Sequence, residues 1–201
     1  MKEMKELLKE PRMSINTESS GNRLFRIFEM INEFYKEDFT VIEIGSFEGA
    51  STEMFAISCK KVYSIDPYDM VDDSFELQIT KDNLKKAEQV FIERFKDYKN
   101  VIKIRDFSEN VTDMFEDESI DAIYIDGNHN FYPTINDIIN YFPKIKKDGI
   151  ISGHDYYWHP IKKAIKHSID NVIKYYDDES WVAIKDEKTI NIFNRNKKNK
   201  W

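Results

Sequence analysis

Five short apolar runs recur along this chain, and each stops at an acidic or glycine-bearing segment. Thr40–Ile44 runs into Gly45, Lys61–Ile65 into Asp66, and Val101–Ile104 into Arg105-Asp106. Ile120–Ile125 runs into Asp126-Gly127, and Gly149–Ser152 into Gly153-His154-Asp155. Stretches of helical spacing separate them. Residues 23–37 carry Leu24, Ile27, Phe28, Ile31, Phe34 and Tyr35, and Asn83–Tyr98 sets Leu84, Ala87, Val90, Phe91 and Phe95 on one face. Shorter helices are expected at residues 49–58, near Glu109–Phe115, at Ile135–Ile145 and from Pro160 to Lys174. Apolar strands alternating with amphipathic helices form a parallel sheet with helices on both faces, an α/β fold. Two last runs, Trp181–Ile184 and Thr189–Phe193, flank a polar turn at Lys185–Lys188. So short a connection forces an antiparallel pair, and an edge hairpin is expected there.

At 201 residues the chain has the length of one domain. Residues 1–20 read as an N-terminal extension and 195–201 as a basic tail. Thirty Lys and Arg against 37 Asp and Glu leave a net charge of −7, which argues against a nucleic-acid partner. The single cysteine, Cys59, forms no internal disulfide and fits a reducing cytoplasm. The first ten residues mix charges of both signs and lack the apolar run of a signal peptide. No stretch approaches the roughly 20 apolar residues of a membrane helix. A cytoplasmic protein without membrane contact is expected, and association into a homo-oligomer stays open.

In open α/β sheets, ligands bind beyond the carboxyl ends of the strands. Here that rim reads Glu43-Ile44-Gly45-Ser46-Phe47-Glu48-Gly49, Asp66, Asp106-Phe107-Ser108, Asp126-Gly127-Asn128-His129 and His154-Asp155-Tyr156. The two glycines allow a tight strand-to-helix turn that a ligand can approach closely. Glu43 and Glu48 beside it suit a cationic or zwitterionic ligand better than a pyrophosphate. Asp66, 21 residues after Gly45, ends the next strand, where a carboxylate can accept both hydroxyls of a ribose. The plainer alternative is a tight turn beside a surface acid.

The segments VIEIGSFEGAST and SIDPYD resemble the first two motifs of class I S-adenosylmethionine-dependent methyltransferases. SIDAIYIDGNHNFYPTINDI and KKDGIISGHDYYW resemble a branch of small O-methyltransferases acting on sugars of antibiotics and polysaccharides. The resemblance spans about residues 38–160 and implies a Rossmann-like seven-stranded sheet closed by an antiparallel edge hairpin. It implies S-adenosylmethionine as cofactor. Glu43, Gly45, Ser46 and Gly49 would face its methionine part, Asp66 its ribose, and Ser108 its adenine, with Asp126 on the border.

Asp126 and Asp155 end neighbouring strands. In metal-dependent relatives, carboxylates at these places hold Mg²⁺ against the acceptor. His154 stands where related enzymes carry an oxygen ligand, so Asp126, His154 and Asp155 are expected to bind Mg²⁺ or another divalent ion. The alternative is that the two acids bond backbone amides. His129 lies three residues after Asp126, at the offset where related enzymes place a lysine base. An imidazole, with an ordinary pKa near 6.5, suits that role. The expected reaction is O-methylation of a small or glycan acceptor, with Asp126 and His129 in the catalytic group. The rival is a non-catalytic nucleoside-binding module acting as sensor or partner subunit.

Overall fold

The computed structural model describes residues 20–69 and 80–198. The expected extension at 1–20 therefore lies outside it except for Ser20, as do most of the long connection 68–82 and residues 199–201. In chain order the elements are α1 (Ser20–Phe34), β1 (Thr40–Ile44), α2 (Ala50–Ser58), β2 (Lys61–Ile65), α3 (Lys81–Phe95), β3 (Val101–Ile104) and α4 (Ser108–Val111). Then follow β4 (Ile120–Ile125), α5 (Phe131–Tyr141), β5 (Ile145–Gly153), α6 (His159–Ser168), β6 (Lys174–Tyr175), β7 (Trp181–Ile184) and α7 (Glu187–Lys198). The strands form one seven-stranded sheet in the order β3-β2-β1-β4-β5-β7-β6. β1 to β5 are parallel, and β7 runs antiparallel to both β5 and β6.

Each central strand buries both faces over most of its length, which is why apolar residues dominate these runs. Val41, Val62, Ala122 and Ile150 face one core with Met30 of α1, Phe55 of α2 and Phe91 of α3. Ile42, Ile123 and Ile151 face the other with Ile138 of α5, Ile165 of α6 and Phe193 of α7. The parallel registers align the strand ends, since Ile44 pairs with both Ile65 and Ile125, and Ile125 with Gly153. The residues that follow are delivered side by side to one rim.

The edge hairpin exists, but its strands are β6 and β7, not Trp181–Ile184 with Thr189–Phe193. Thr189–Phe193 is helical. Asp186 Oδ1 accepts from Thr189 N at 2.7 Å, a helix N-cap three residues ahead, and Phe193 stacks on Phe142 at 4.4 Å. Arg195–Lys198 belong to the last turns of α7 rather than to a tail. The helix after β5 ends at Ser168, before Asp170 in the left-handed region (φ 31°).

Candidate active site

The turn between β1 and α2 is shaped by glycines with positive φ, 84° at Gly45 and 79° at Gly49. A Cβ on Gly45 would lie 2.2 Å from the carbonyl oxygen of Asp126, so the turn presses on the end of β4. A Cβ on Gly49 would lie 2.3 Å from the ring of Phe95. Asp66 fastens the turn from the next strand. Its Oδ2 accepts from the backbone N–H groups of Ser46 and Phe47, each at 2.9 Å, and its Oδ1 from that of Tyr68 at 2.9 Å. Tyr68 closes the clasp by donating its hydroxyl to the Phe47 carbonyl at 2.9 Å.

Glu43 has no exposed surface, and both of its oxygens accept hydroxyls from the first turn of α2, Ser51 and Thr52. Burial pushes its carboxyl up to about 8, against the opposing hydroxyl bonds, with Asp126 and Asp66 adding to the rise. Its carboxyl therefore points into the fold rather than into the open side of the turn. At the end of β3, the Ser108 hydroxyl donates to buried Asp137 on α5, and Tyr141 donates to the Ser108 carbonyl at 2.7 Å. The group left outward there is Phe107, 40% exposed.

The ends of β4 and β5 carry the densest polar cluster. Asp155 sits between two histidines, with His129 Nε2 at 2.9 Å from Oδ2 and His154 Nδ1 at 3.1 Å from Oδ1. Burial alone would raise the Asp155 pKa. The hydrogen bonds from His129 and His154, and their charge, instead hold it far below the usual carboxylate range. Burial opposes a charged His154, yet the Asp155 hydrogen bond and the charges of Asp126, Asp155 and Asp178 raise it to about 9. Asp126, His154 and Asp155 each offer a ligand atom within 4.8 Å of the others. His154 Nε2 and Trp181 Nε1 are buried without a hydrogen-bond partner, and both residues line one small pocket with Asp126, His129, Thr134, Asp155 and Ile161.

The His129 loop is braced from below and from the side. Thr134 Oγ1 donates to the carbonyls of Asn128 and Asn130 at 3.0 and 2.8 Å, and the His129 ring lies 5.0 Å from that of Trp158. Asp155 has φ 56°, a left-handed backbone that aspartate tolerates better than most residues. His159 and His167 are exposed on α6, and neither lines that small pocket.

The structure thus gathers Gly45, Ser46, Gly49 and Asp66 at one turn, and His129, His154 and Asp155 beside it, with Asp126 between the two. Glu43 and Ser108 are near but turned into the protein. Sequence reasoning placed Phe107 on the rim within Asp106-Phe107-Ser108, and missed the clasp by Tyr68 and the ring of Trp158 against His129.

Residues 42–156 match a family described as a methyltransferase domain. The uncharacterized protein R132 of Acanthamoeba polyphaga mimivirus is 31% identical over 144 residues, 68% of this chain and 62% of that one. The chain therefore spans about three fifths of the length of that relative. Among solved structures, the calicheamicin methyltransferase CalS11, elsewhere described as a TDP-rhamnose 3′-O-methyltransferase, has a TM-score of 0.60 at 12% identity, covering 90% of this chain and 89% of that one. SMU.1697c of Streptococcus mutans, in complex with S-adenosylhomocysteine (SAH), has a TM-score of 0.57 at 15% identity, covering 80% and 95%. An rRNA methylase of Streptococcus thermophilus has a TM-score of 0.53 at 15% identity, covering 79% and 92%. At such identities the likeness to the solved structures is one of fold.

Proposed function

The chain belongs to this family of class I S-adenosylmethionine-dependent methyltransferases, and on that premise we propose that it methylates a hydroxyl oxygen of a small or glycan acceptor with His129 as general base. The observation that carries the reading is the contact of His129 Nε2 with Asp155 Oδ2 at 2.9 Å, on the rim next to the Gly45 turn. CalS11, of the same fold, acts on a sugar hydroxyl, which supports an oxygen acceptor. The net charge of −7 favours a small molecule over a nucleic acid.

S-Adenosylmethionine, when bound, supplies a methyl carbon already activated on a sulfonium, so the protein has mainly to align the acceptor and remove its proton. The residues fit such a cofactor. Gly45 and Gly49 let the turn pack against the Asp126 carbonyl and the Phe95 ring, and Asp66, at the end of β2, holds the Ser46 and Phe47 N–H groups of that turn. Phe107 offers a ring face for adenine at the end of β3. With Nε2 held at Asp155, proton acceptance at His129 falls to Nδ1. Asp155, fixed as a carboxylate, then stabilises the imidazolium.

Calorimetry with SAH tests the cofactor half. Wild-type protein should bind, and Asp66→Ala should weaken binding by about 1.5–3 kcal/mol, the range for a hydrogen bond to a charged group. No binding to the wild type, or unchanged affinity in the variant, defeats the assignment. Binding of SAH without transfer to any acceptor would make the chain a nucleoside-binding module.

A second reading rests on the close approach of Asp126, His154 and Asp155. Two carboxylates and an imidazole suit zinc or manganese better than magnesium. Such an ion has to displace the hydrogen bond between His154 and Asp155 and the proton on the imidazole. Zn²⁺ or Mn²⁺ should then raise the Tm through binding linkage while Mg²⁺ does not. If EDTA changes neither Tm nor activity and no ion shifts the Tm, the cluster handles acceptor and proton only.

A further inference from the structure

α6 carries Lys162, Lys163 and Lys166 and no acidic residue. It starts just beyond the strand end that holds His154 and Asp155, and its Ile161 lines the same pocket as His129. Some other lysines answer carboxylates, as Lys103 does Glu88, Lys144 Asp117 and Lys174 Glu33, while Lys36 and Lys61 lie singly over the rings of Phe39 and Tyr63. Among the described residues, Lys162, Lys163 and Lys166 have no acidic partner.

Two of these ammonium groups are nevertheless held in place. Lys162 Nζ lies 5.3 Å from the ring centre of Tyr156 and 5.8 Å from that of Tyr157. Lys163 Nζ lies 4.7 Å from that of Phe131. Phe131 follows His129 by two residues, and Tyr157 precedes Trp158, the ring that stacks on His129. An ion pair would cancel the charge of a lysine. A ring face orients the ammonium and leaves its charge and donors available. Lys166, at i+4 from Lys162 and i+3 from Lys163, adds like charge to the same surface, an arrangement unfavourable to the helix by itself.

The neighbouring floor has the opposite sign, from Asp126, Asp155 and Asp178. That floor suits a cationic sulfonium, and the α6 wall suits an anion. Resting on the methyltransferase reading, we propose that the acceptor is a phosphorylated small molecule. Its phosphate lies against Lys162 and Lys163 while its hydroxyl meets His129. The wall is a single helix of ten residues, about 15 Å long, on a chain of net charge −7, which fits a compact anion and not a long nucleic acid.

The test is calorimetry on the full chain, with and without SAH, using inorganic pyrophosphate, glucose 1-phosphate and UDP-glucose as probes. At least one probe should bind the wild type, more weakly as salt rises. The variant K162E/K163E should lose at least ten-fold in affinity for it, keep wild-type SAH affinity, and differ from a K60E/K86E control that binds every probe normally. Glucose 1-phosphate and UDP-glucose separate a simple sugar phosphate from a nucleotide-linked sugar. The proposal falls if no probe binds the wild type or if K162E/K163E binds as the wild type does. It also falls if a single-stranded RNA oligonucleotide binds more tightly than every small probe. A failure of SAH to bind the wild type counts against the cofactor reading alone, because the arm without SAH still reports on the lysines.

Discussion

Replacing His129 by alanine should lower kcat by about 10²–10⁴-fold, the usual contribution of a positioned general base, while SAH affinity stays near that of the wild type. The two effects separate because His129 belongs to the β4–α5 loop, whereas the turn of Gly45 and Asp66 that would hold the cofactor is built from β1 and β2. The surrounding structure should survive the change, since Thr134 braces the loop through backbone carbonyls and not through the imidazole. Asp155→Asn offers a finer comparison. It can keep the side chain in place but removes the charge that favours the imidazolium, so kcat should fall while KM changes less. Added imidazole should restore part of the activity of His129→Ala and none of that of Asp155→Asn. The assay requires an acceptor, found by screening phosphorylated sugars and glycans with labelled cofactor. A His129→Ala enzyme with near wild-type kcat moves the base elsewhere, and His154 is next in line.

Glu43→Gln should stabilise the protein in a pH-dependent way. The folded carboxyl titrates at about 8, well above its unfolded value, because burial disfavours the charge. A raised folded value means that the favourable state is the protonated one, complete below about pH 4.5 and lost as pH climbs through 8. The wild type should therefore weaken relative to Glu43→Gln across that interval, and the gap should level off above pH 9. A rise from 4.5 to about 8 sets its full size at roughly 5 kcal/mol, or about 10–20 °C in Tm for a chain of this length. Glutamine fits the site, since the hydroxyls of Ser51 and Thr52 can turn to donate to its oxygen or accept from its nitrogen. Thermal melts of both proteins from pH 5 to 9 decide the matter. A gap that does not change with pH would show that Glu43 stays ionised in the fold.

The first five strands were legible because a strand covered on both faces is mostly apolar, and Thr40–Ile44, Lys61–Ile65 and Ile120–Ile125 end in the structure where those runs end. The strand-end acids were legible for a related reason, since parallel strands deliver their last residues to one rim. The closing hairpin was legible in one strand, Trp181–Ile184, and not in the other. β6 is two residues, Lys174–Tyr175, with no apolar run to announce it, and Thr189-Ile190-Asn191-Ile192-Phe193 satisfies a period of two as well as a helical one. Asp186, placed as an N-cap, was the sign that decided for the helix. Within the site, residue types and places were readable but partners were not. His129 meets Asp155 across 26 positions of sequence, and Lys163 meets Phe131 across 32. Such pairings belong to the packing of elements and leave no trace in local spacing.

The contact between Gly45 and the Asp126 carbonyl has a bearing on how such a protein changes over generations. With 2.2 Å of clearance for a Cβ, position 45 admits no side chain, and Gly153 is as tightly placed, 2.4 Å from the Ile125 carbonyl. The half of the rim that would grip the donor is thus written in backbone and closed to drift. Around the buried His154 and Asp155, the opposite half also carries exposed side chains, Tyr157 at 59% and Tyr132 at 71% exposure, together with the lysines of α6. These can be exchanged at the surface within about 0.5 kcal/mol of stability each. Diversification, natural or directed, has one open direction here: the wall of α6 and the loop before it, where a new acceptor can be acquired without renegotiating the sheet.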